Sequence, residues 1–520
     1  MTSIAPTGHV RRVIGLMVFV GLLLGWLALH TDVIFADGLR YIRHAQQVDK
    51  GDLAGGLFRA IDHPLYPLAI AASHKVLGGA GPWAWQHAAQ LASILAAVLL
   101  VVPLYLIALE FHGERTAWLG VAFAFVVPVT SHVFADALSE STFLLGWCWG
   151  FWGALRFLRH GAFGWLAPTV LGALVAYLTR PEGLLLPAAL MGTLAFMPLL
   201  PSTRLNWPRW SAAVGLLIVF PALIVAPYAW KKGGLGSKPA IARVLGTMPK
   251  APADAIERGR VLDPEQSTLK TYATATKETL SAVREAVTTP LLVLAILGIG
   301  LGLRAPLPGP RAKLFVALAV AGTLFALVRL HATSGYCTPR HTLTISLLLF
   351  PAAASGFVTL MDRVRIPGRW VGAGDERLVF GPAAWLIVLL GFGTWVATGT
   401  FAHLNPHFKG YKQAASFLSE AVPSDERVVD FSGWALFYGE RTGYTFRQIA
   451  ELPQDPKVRW VVAREAHLNG PWGYSRVLRD LTAGLKPIKV FPETAEPGTA
   501  RVLVFDRGPI LAESEAPSRR

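Results

Sequence analysis

Residues 76–109, VLGGAGPWAWQHAAQLASILAAVLLVVPLYLIAL, contain no aspartate, glutamate, lysine or arginine. A helix needs roughly 20 such residues to cross a bilayer core of about 30 Å, so this run crosses with residues to spare. Ten more charge-free runs lie at 13–31, 116–135, 141–155, 160–179, 183–203, 210–230, 286–303, 314–328, 341–361 and 378–408. The runs at 141–155 and 314–328 need flanking residues to span, and the longest include loop at one end. Composition agrees with the runs: of 520 residues, 53% are apolar and only 16% charged, against about 25% charged in soluble proteins, and the mean hydropathy is +0.45. A cytosolic enzyme, a coiled coil and a disordered chain are excluded. The sequence predicts an α-helical polytopic membrane protein with about 11 transmembrane helices.

The net charge of +15 would suggest nucleic acid in a soluble protein. Here much of the excess sits in short loops between apolar runs, where it orients the chain, and no nucleic-acid partner is expected. Arg11, Arg12, Arg115, Arg156, Arg159, Arg204, Arg209, Arg304, Arg311, Lys313, Arg363, Arg365, Arg369 and Arg377 fall on one side if the N-terminus is cytoplasmic. The short opposite connections carry far fewer cations: Arg180, with Arg329 and Arg340. The expected location is therefore the cell (inner) membrane, multi-pass, with the C-terminal segment extracytoplasmic. The first run reads as an uncleaved anchor. Cys148 and Cys337 lie in different settings, which argues against a disulfide framework or a thiolate metal site.

Residues 1–408 form the expected membrane domain, with two long extracytoplasmic loops at 32–82 and 231–285. In the first, Asp37, Tyr41 and Ala45 recur at helical spacing, as in a helix lying at the interface. The second ends in an amphipathic pattern over Leu269–Val287. From 409 to 510 hydropathy drops. Helical patterns at Tyr411–Ala421 and Tyr474–Leu485, with strand patterns at Arg427–Phe431, Val458–Ala463, Ile488–Phe491 and Val502–Phe505, predict a small extracytoplasmic α/β C-terminal domain. Residues 511–520 read as a disordered tail.

The chemically suggestive side chains gather on the outer side. Asp37, Asp62 and His63 belong to the first loop, Asp136 and Glu140 to the turn between the third and fourth runs, Arg180 and Glu182 to Thr-Arg-Pro-Glu-Gly, and Tyr336, Arg340 and His341 to Ser-Gly-Tyr-Cys-Thr-Pro-Arg-His. Each has a plainer reading. Asp136 or Glu140 caps a helix, Pro64 fixes an extended entry, Arg180 and Glu182 make a structural pair, and Arg340 snorkels to headgroups. Asp37 is harder to explain away, because an acid beside Phe35, Leu39 and Tyr41 needs a partner or a task.

The pattern Asp-Gly-x-x-Tyr-x-x-x-Ala (Asp37, Gly38, Tyr41, Ala45), followed by His-Pro-Leu-Tyr-Pro (His63–Pro67, including Tyr66), resembles the polyprenyl-phosphate-dependent membrane glycosyltransferases of the GT-C fold. The nearest group is family 39, with the protein O-mannosyltransferases and the lipid A aminoarabinose transferases. Ser-Glu-Ser at 139–141, Thr-Arg-Pro-Glu-Gly at 179–183 and Arg340–His341 stand where similar enzymes carry comparable signatures. The likeness covers roughly residues 10–400. Two departures are plain: Gly38 follows Asp37 where many relatives have a second acid, and Arg-His replaces the commoner Arg-Tyr at 340–341.

The resemblance implies a sugar donor linked through phosphate to a polyprenol, a lipid, protein or glycan acceptor, and inversion at the anomeric carbon. It implies Asp37 as the base taking the acceptor's proton, and Arg340, then Arg180, meeting the departing phosphate, since guanidinium forks onto phosphate oxygens. Asp136 and Glu182 are offered for sugar hydroxyls or for holding the arginines, and His63 for orienting Asp37 or touching the acceptor. Hard oxygen ligands at Asp37 and Asp136 with a histidine would suit a divalent cation, yet no ligand spacing supports one. The main rival is a polytopic transporter or lipid-linked-glycan flippase. Such proteins carry ionisable groups near the bilayer midplane, and the eleven runs hold none of Asp, Glu, Lys or Arg.

Overall fold

The computed structural model describes residues 6–199, 207–234, 239–246, 268–302, 309–363, 365–366, 378–379, 382–446, 448, 452, 455, 458–470, 473–494 and 498–508. The expected tail at 511–520 and parts of the 231–285 loop fall outside them.

Among the described residues, each charge-free run contains helix. α1 (Pro6–Leu29) leads into α2 (Ala36–Asp49), which carries Asp37 in its first turn. α3 (Leu65–Leu77) and α4 (Gly81–His112) follow, and α4 is the 32-residue helix of the 76–109 run. Next come α5 (Glu114–Val126), α6 (Pro128–Ala135), α7 (Glu140–His160), α8 (Leu166–Thr179), α9 (Leu185–Phe196) and α10 (Trp207–Lys232). α11 (Pro239–Val244), α12 (Thr268–Val287), α13 (Thr289–Gly302), α14 (Gly309–Ser334), α15 (Leu343–Arg363) and α16 (Pro382–Thr400) complete the bundle. A two-residue ribbon, β1 (Arg365–Ile366) with β2 (Leu378–Val379), lies between the last two.

Among the described residues six helices are long and apolar enough to cross a membrane, or up to eight if two bent pairs each count once. The difference from eleven has local causes. Pro128 breaks the third run into α5 and α6, bent by 69°, because proline removes an N–H and clashes with the preceding turn. α8 has only 14 residues, and α7 keeps Arg156 and Arg159 within its 21. α12 and α13 meet at 98°, across Thr288 in the left-handed region at φ 71°.

The helices present apolar side chains outward: Leu22, Leu29, Leu171, Ile296 and Phe325 are all exposed. In water that surface would be a liability; in lipid it is the rule. Lipid also removes the hydrophobic drive between helices, so close packing of small residues must hold them together. A Cβ on Gly146 of α7 would stand 2.7 Å from both the Ala176 nitrogen and the Gly172 oxygen of α8, and Gly298 of α13 meets Gly356 of α15 backbone to backbone.

The C-terminal unit holds α17 (Lys409–Ala421), β3 (Arg427–Asp430), α18 (Trp434–Tyr438), β4 (Gly443–Tyr444), β5 (Val458–Arg464), α19 (Glu465–Asn469), α20 (Gly473–Thr482), β6 (Lys489–Phe491) and β7 (Val502–Asp506). Its five strands run in the order β4-β3-β5-β7-β6, parallel from β4 to β5 and antiparallel beyond. One face packs on α20. The other shares a core with α2, α3 and α4 through Leu39, Ile42, Tyr66, Trp85, Tyr411 and Trp434. Sheet domain and α2 therefore pack as one body, directly behind Asp37.

Candidate active site

α2 turns two faces in different directions. Its apolar positions, Leu39, Tyr41, Ile42 and Ala45, are buried. Asp37, Arg40 and His44, spaced i, i+3 and i+7, lie along one polar stripe. On that stripe Arg40 Nη1 donates to Asp37 Oδ1 at 3.1 Å, and the same guanidinium forks onto Asp62, with Nη2 3.1 Å from Oδ1 and Nε bonded to Oδ2. His44 Nε2 stands 3.6 Å from Asp62. The other oxygen of Asp37 accepts from Arg340 Nη2 at 2.6 Å.

From Arg340 the chain of charges continues inward. Its Nη1 is 3.8 Å from Glu140 Oε1, which also accepts from Arg180 Nη1 at 2.7 Å, and Arg180 Nη2 reaches Glu182 at 3.3 Å. Asp62, Arg40, Asp37, Arg340, Glu140, Arg180 and Glu182 thus alternate in sign across five chain segments. Opposite unit charges about 4 Å apart interact by roughly 4 kcal/mol at an effective dielectric near 20. That attraction is needed, because the Asp62 and Glu140 side chains are only 1% and 4% exposed, and isolated buried charges are costly. Burial alone would lower the Arg180 pKa; Glu182 and Glu140 outweigh it and hold it well above its ordinary value. Arg40 is shifted the same way, its burial outweighed by Asp62 and Asp37.

A family model described as dolichyl-phosphate-mannose-protein mannosyltransferase matches residues 62–225. Among solved structures, ArnT from Cupriavidus metallidurans bound to undecaprenyl phosphate superposes with a TM-score of 0.56 at 14% identity, over 98% of this chain and 100% of that one. The apo oligosaccharyltransferase of Archaeoglobus fulgidus gives 0.58 at 11% identity, over 88% and 70%. The archaeal oligosaccharyltransferase AglB from the same organism, in complex with an inhibitory peptide and a dolichol-phosphate, gives 0.50 at 11%, over 87% and 69%. The chain has the GT-C fold. No curated protein matches it by sequence.

On this GT-C scaffold the remaining candidates take different places. Asp136 is turned toward backbone, accepting from the N–H groups of Phe35 and Ala137 and from Asn405 Nδ2. Its burial raises its pKa to about 6 in spite of these hydrogen bonds. Tyr66 donates from its hydroxyl to the Ala89 carbonyl and pairs with Ser93 at 2.7 Å, with its ring edge-on to Tyr41. His63 packs against Tyr177 and Tyr228 with ring centroids at 5.0 and 5.9 Å. His341 Nδ1 binds the backbone and hydroxyl of Thr338, closing the short turn that presents Arg340, and its ring lies 5.8 Å from Tyr336. Among the described residues no three of His, Cys, Asp and Glu converge as a metal-binding set. A cavity of about 570 Å³ lies beyond the other face of α2, lined by Arg43, Gln46, Trp85, Phe437, Glu440 and Gln448 among others, and does not include the ionic chain.

Three members of the site escaped the sequence. Arg40 and His44 lie on the predicted helix, and their i+3 and i+7 spacing from Asp37 is the signal that could have found them. Lys232, at the end of α10, donates to the carbonyls of Ala60 and Asp62, each at 2.8 Å; nothing in its local sequence predicts that contact.

Proposed function

We propose that the chain moves a sugar from a polyprenyl-phosphate-linked donor to an acceptor on the extracytoplasmic side, with Asp37 as general base and Arg340 and Arg180 as the phosphate-binding cations. One observation carries the reading: a carboxylate and a guanidinium, Asp37 and Arg340, held 2.6 Å apart at the end of the helix bundle. Transfer separates charge in that way, since a hydroxyl loses a proton as a phosphate leaves. A positioned base contributes about 10²–10⁴-fold, and a guanidinium is matched to phosphate oxygens. In the resting arrangement the two groups neutralise each other; a bound donor phosphate would take over Arg340 and release Asp37 toward the acceptor.

The fold shared with ArnT and the oligosaccharyltransferases supports lipid-linked transfer as the class of reaction. The distribution of charge speaks against a transporter. The described buried acids are Asp62, Asp136, Glu140 and Asp430, all in loops, at a helix start or in the sheet domain, whereas coupled transport uses ionisable groups at mid-depth. Mass spectrometry of glycolipids and glycoproteins from cells carrying the wild-type chain or Asp37→Asn tests the proposal. A species that disappears with the variant identifies sugar and acceptor together; identical profiles, with both proteins present in the membrane, would refute it.

A further inference from the structure

Residues 32–35 join the first membrane helix to α2, and their backbone is bound from several directions. The Asp32 N–H donates to the Leu404 carbonyl at 3.2 Å. The Val33 carbonyl accepts from Asn405 Nδ2 at 2.9 Å, and the Phe35 N–H donates to both oxygens of Asp136 at 3.1 Å. Ile34 is held at both ends by α18: its N–H donates to the Tyr438 hydroxyl at 3.0 Å, and its carbonyl accepts from Trp434 Nε1 at 2.7 Å. The Tyr438 hydroxyl donates onward to Gln86 Oε1 of α4 at 2.7 Å.

Buried backbone groups must be paired, which explains why partners exist but not where they come from. Here the partners of Ile34 lie 400 and 404 residues away along the chain. α2 has no side-chain cap of its own at Phe35, so its entry is fixed from outside. Asp37 follows two residues later. Trp434 and Tyr438 stand one helical turn apart on α18, so a single face of that helix grips both backbone groups of one residue.

We propose that Trp434 and Tyr438 are positioning residues for Asp37: the C-terminal domain sets the start of α2 and thereby where the Asp37 carboxylate stands against Arg340. The inference rests on the reading of Asp37 as the base. A shift of about 1 Å at a reacting group costs up to about a hundredfold, so losing one of these hydrogen bonds is expected to lower kcat about tenfold.

The test uses the full-length chain in lipid nanodiscs, with undecaprenyl-phosphate-linked hexoses and pentoses as donor probes. Tyr438→Phe removes one hydroxyl and keeps the ring; Gln86→Leu removes its acceptor on α4 by a separate route. Both should lower kcat about tenfold with the donor KM changed less than about twofold and the melting temperature near wild type. A wild-type kcat in either folded variant overturns the inference, as does a loss matched by an equal loss of folded protein. Asp37→Asn run in parallel separates the two ideas. If it stays active, the assignment of the base falls; if it is inactive while Tyr438→Phe turns over normally, only the positioning role falls.

Discussion

The two ends of the bundle both carry ion pairs, and they are built differently. At one end Glu110 takes Arg156 and Arg159 on separate oxygens, each at 2.6 Å, and Glu114 pairs with Arg12. The arginines there are 29–50% exposed. Glu110 has a distinct oxygen for each arginine, and water shares the load. At the other end one Glu140 oxygen serves both Arg180 and Arg340, Asp37 is divided between Arg40 and Arg340, and the arginine side chains are 12–23% exposed. Exposed pairs contribute up to about 1 kcal/mol each, whereas buried ones are weak contributors to stability. The first end ties helix termini together. The second holds charge ready for something else.

The largest test of that contrast is Asp37→Asn, which keeps the shape of the side chain and removes the proposed base. Transfer should fall by about 10²–10⁴-fold, read by single-turnover assay on the folded protein. Arg340→Ala leaves Asp37 and Glu140 short of a buried cation and should cost about 3–5 kcal/mol in stability. Arg340→Lys keeps the charge but loses the fork, and should raise the donor KM more than it lowers the melting temperature; unchanged donor kinetics would remove Arg340 from phosphate binding.

A smaller effect comes from pH. Asp136 has its pKa raised to about 6, mainly by burial, so the folded state holds this proton more tightly than the unfolded state does. Its contribution to stability is full below the ordinary aspartate value and is lost as pH rises through about 6. Asp136→Asn should flatten the fall in melting temperature across that interval, and an unchanged slope would assign the dependence to other groups. The smallest effect belongs to the other end: Arg159→Ala should cost less than about 1 kcal/mol and leave transfer unchanged. A large loss of activity there would erase the distinction between the ends.

Much of this was legible. Counting charge-free runs places the helices because the bilayer forbids isolated charges; the ends of those runs show Glu140, Arg180 and Arg340 as outliers, and the loop after the first run shows Asp37. The sheet domain followed from period-two patterns: strands expected at 427–431, 458–463, 488–491 and 502–505 lie at 427–430, 458–464, 489–491 and 502–506. The partners of the site were not legible. Gln86 and Gln90 sit in the middle of the 76–109 run, buried and hydrogen-bonded to Tyr438, Thr31 and Ala135, but a count of formal charges passes over amides. Asn405 and Trp434 reach Val33 and Ile34 across hundreds of residues, and no local period encodes such a meeting.

The glycine crossing of α7 and α8 bears on the acid–base geometry as well as on packing. Glu140 opens one of those helices and Arg180 follows the other, so the interval between carboxylate and guanidinium is gauged by how near Gly146 lets the two axes come. A methyl group at that crossing, remote from any reacting atom, would act like a shim under one jaw of a vice.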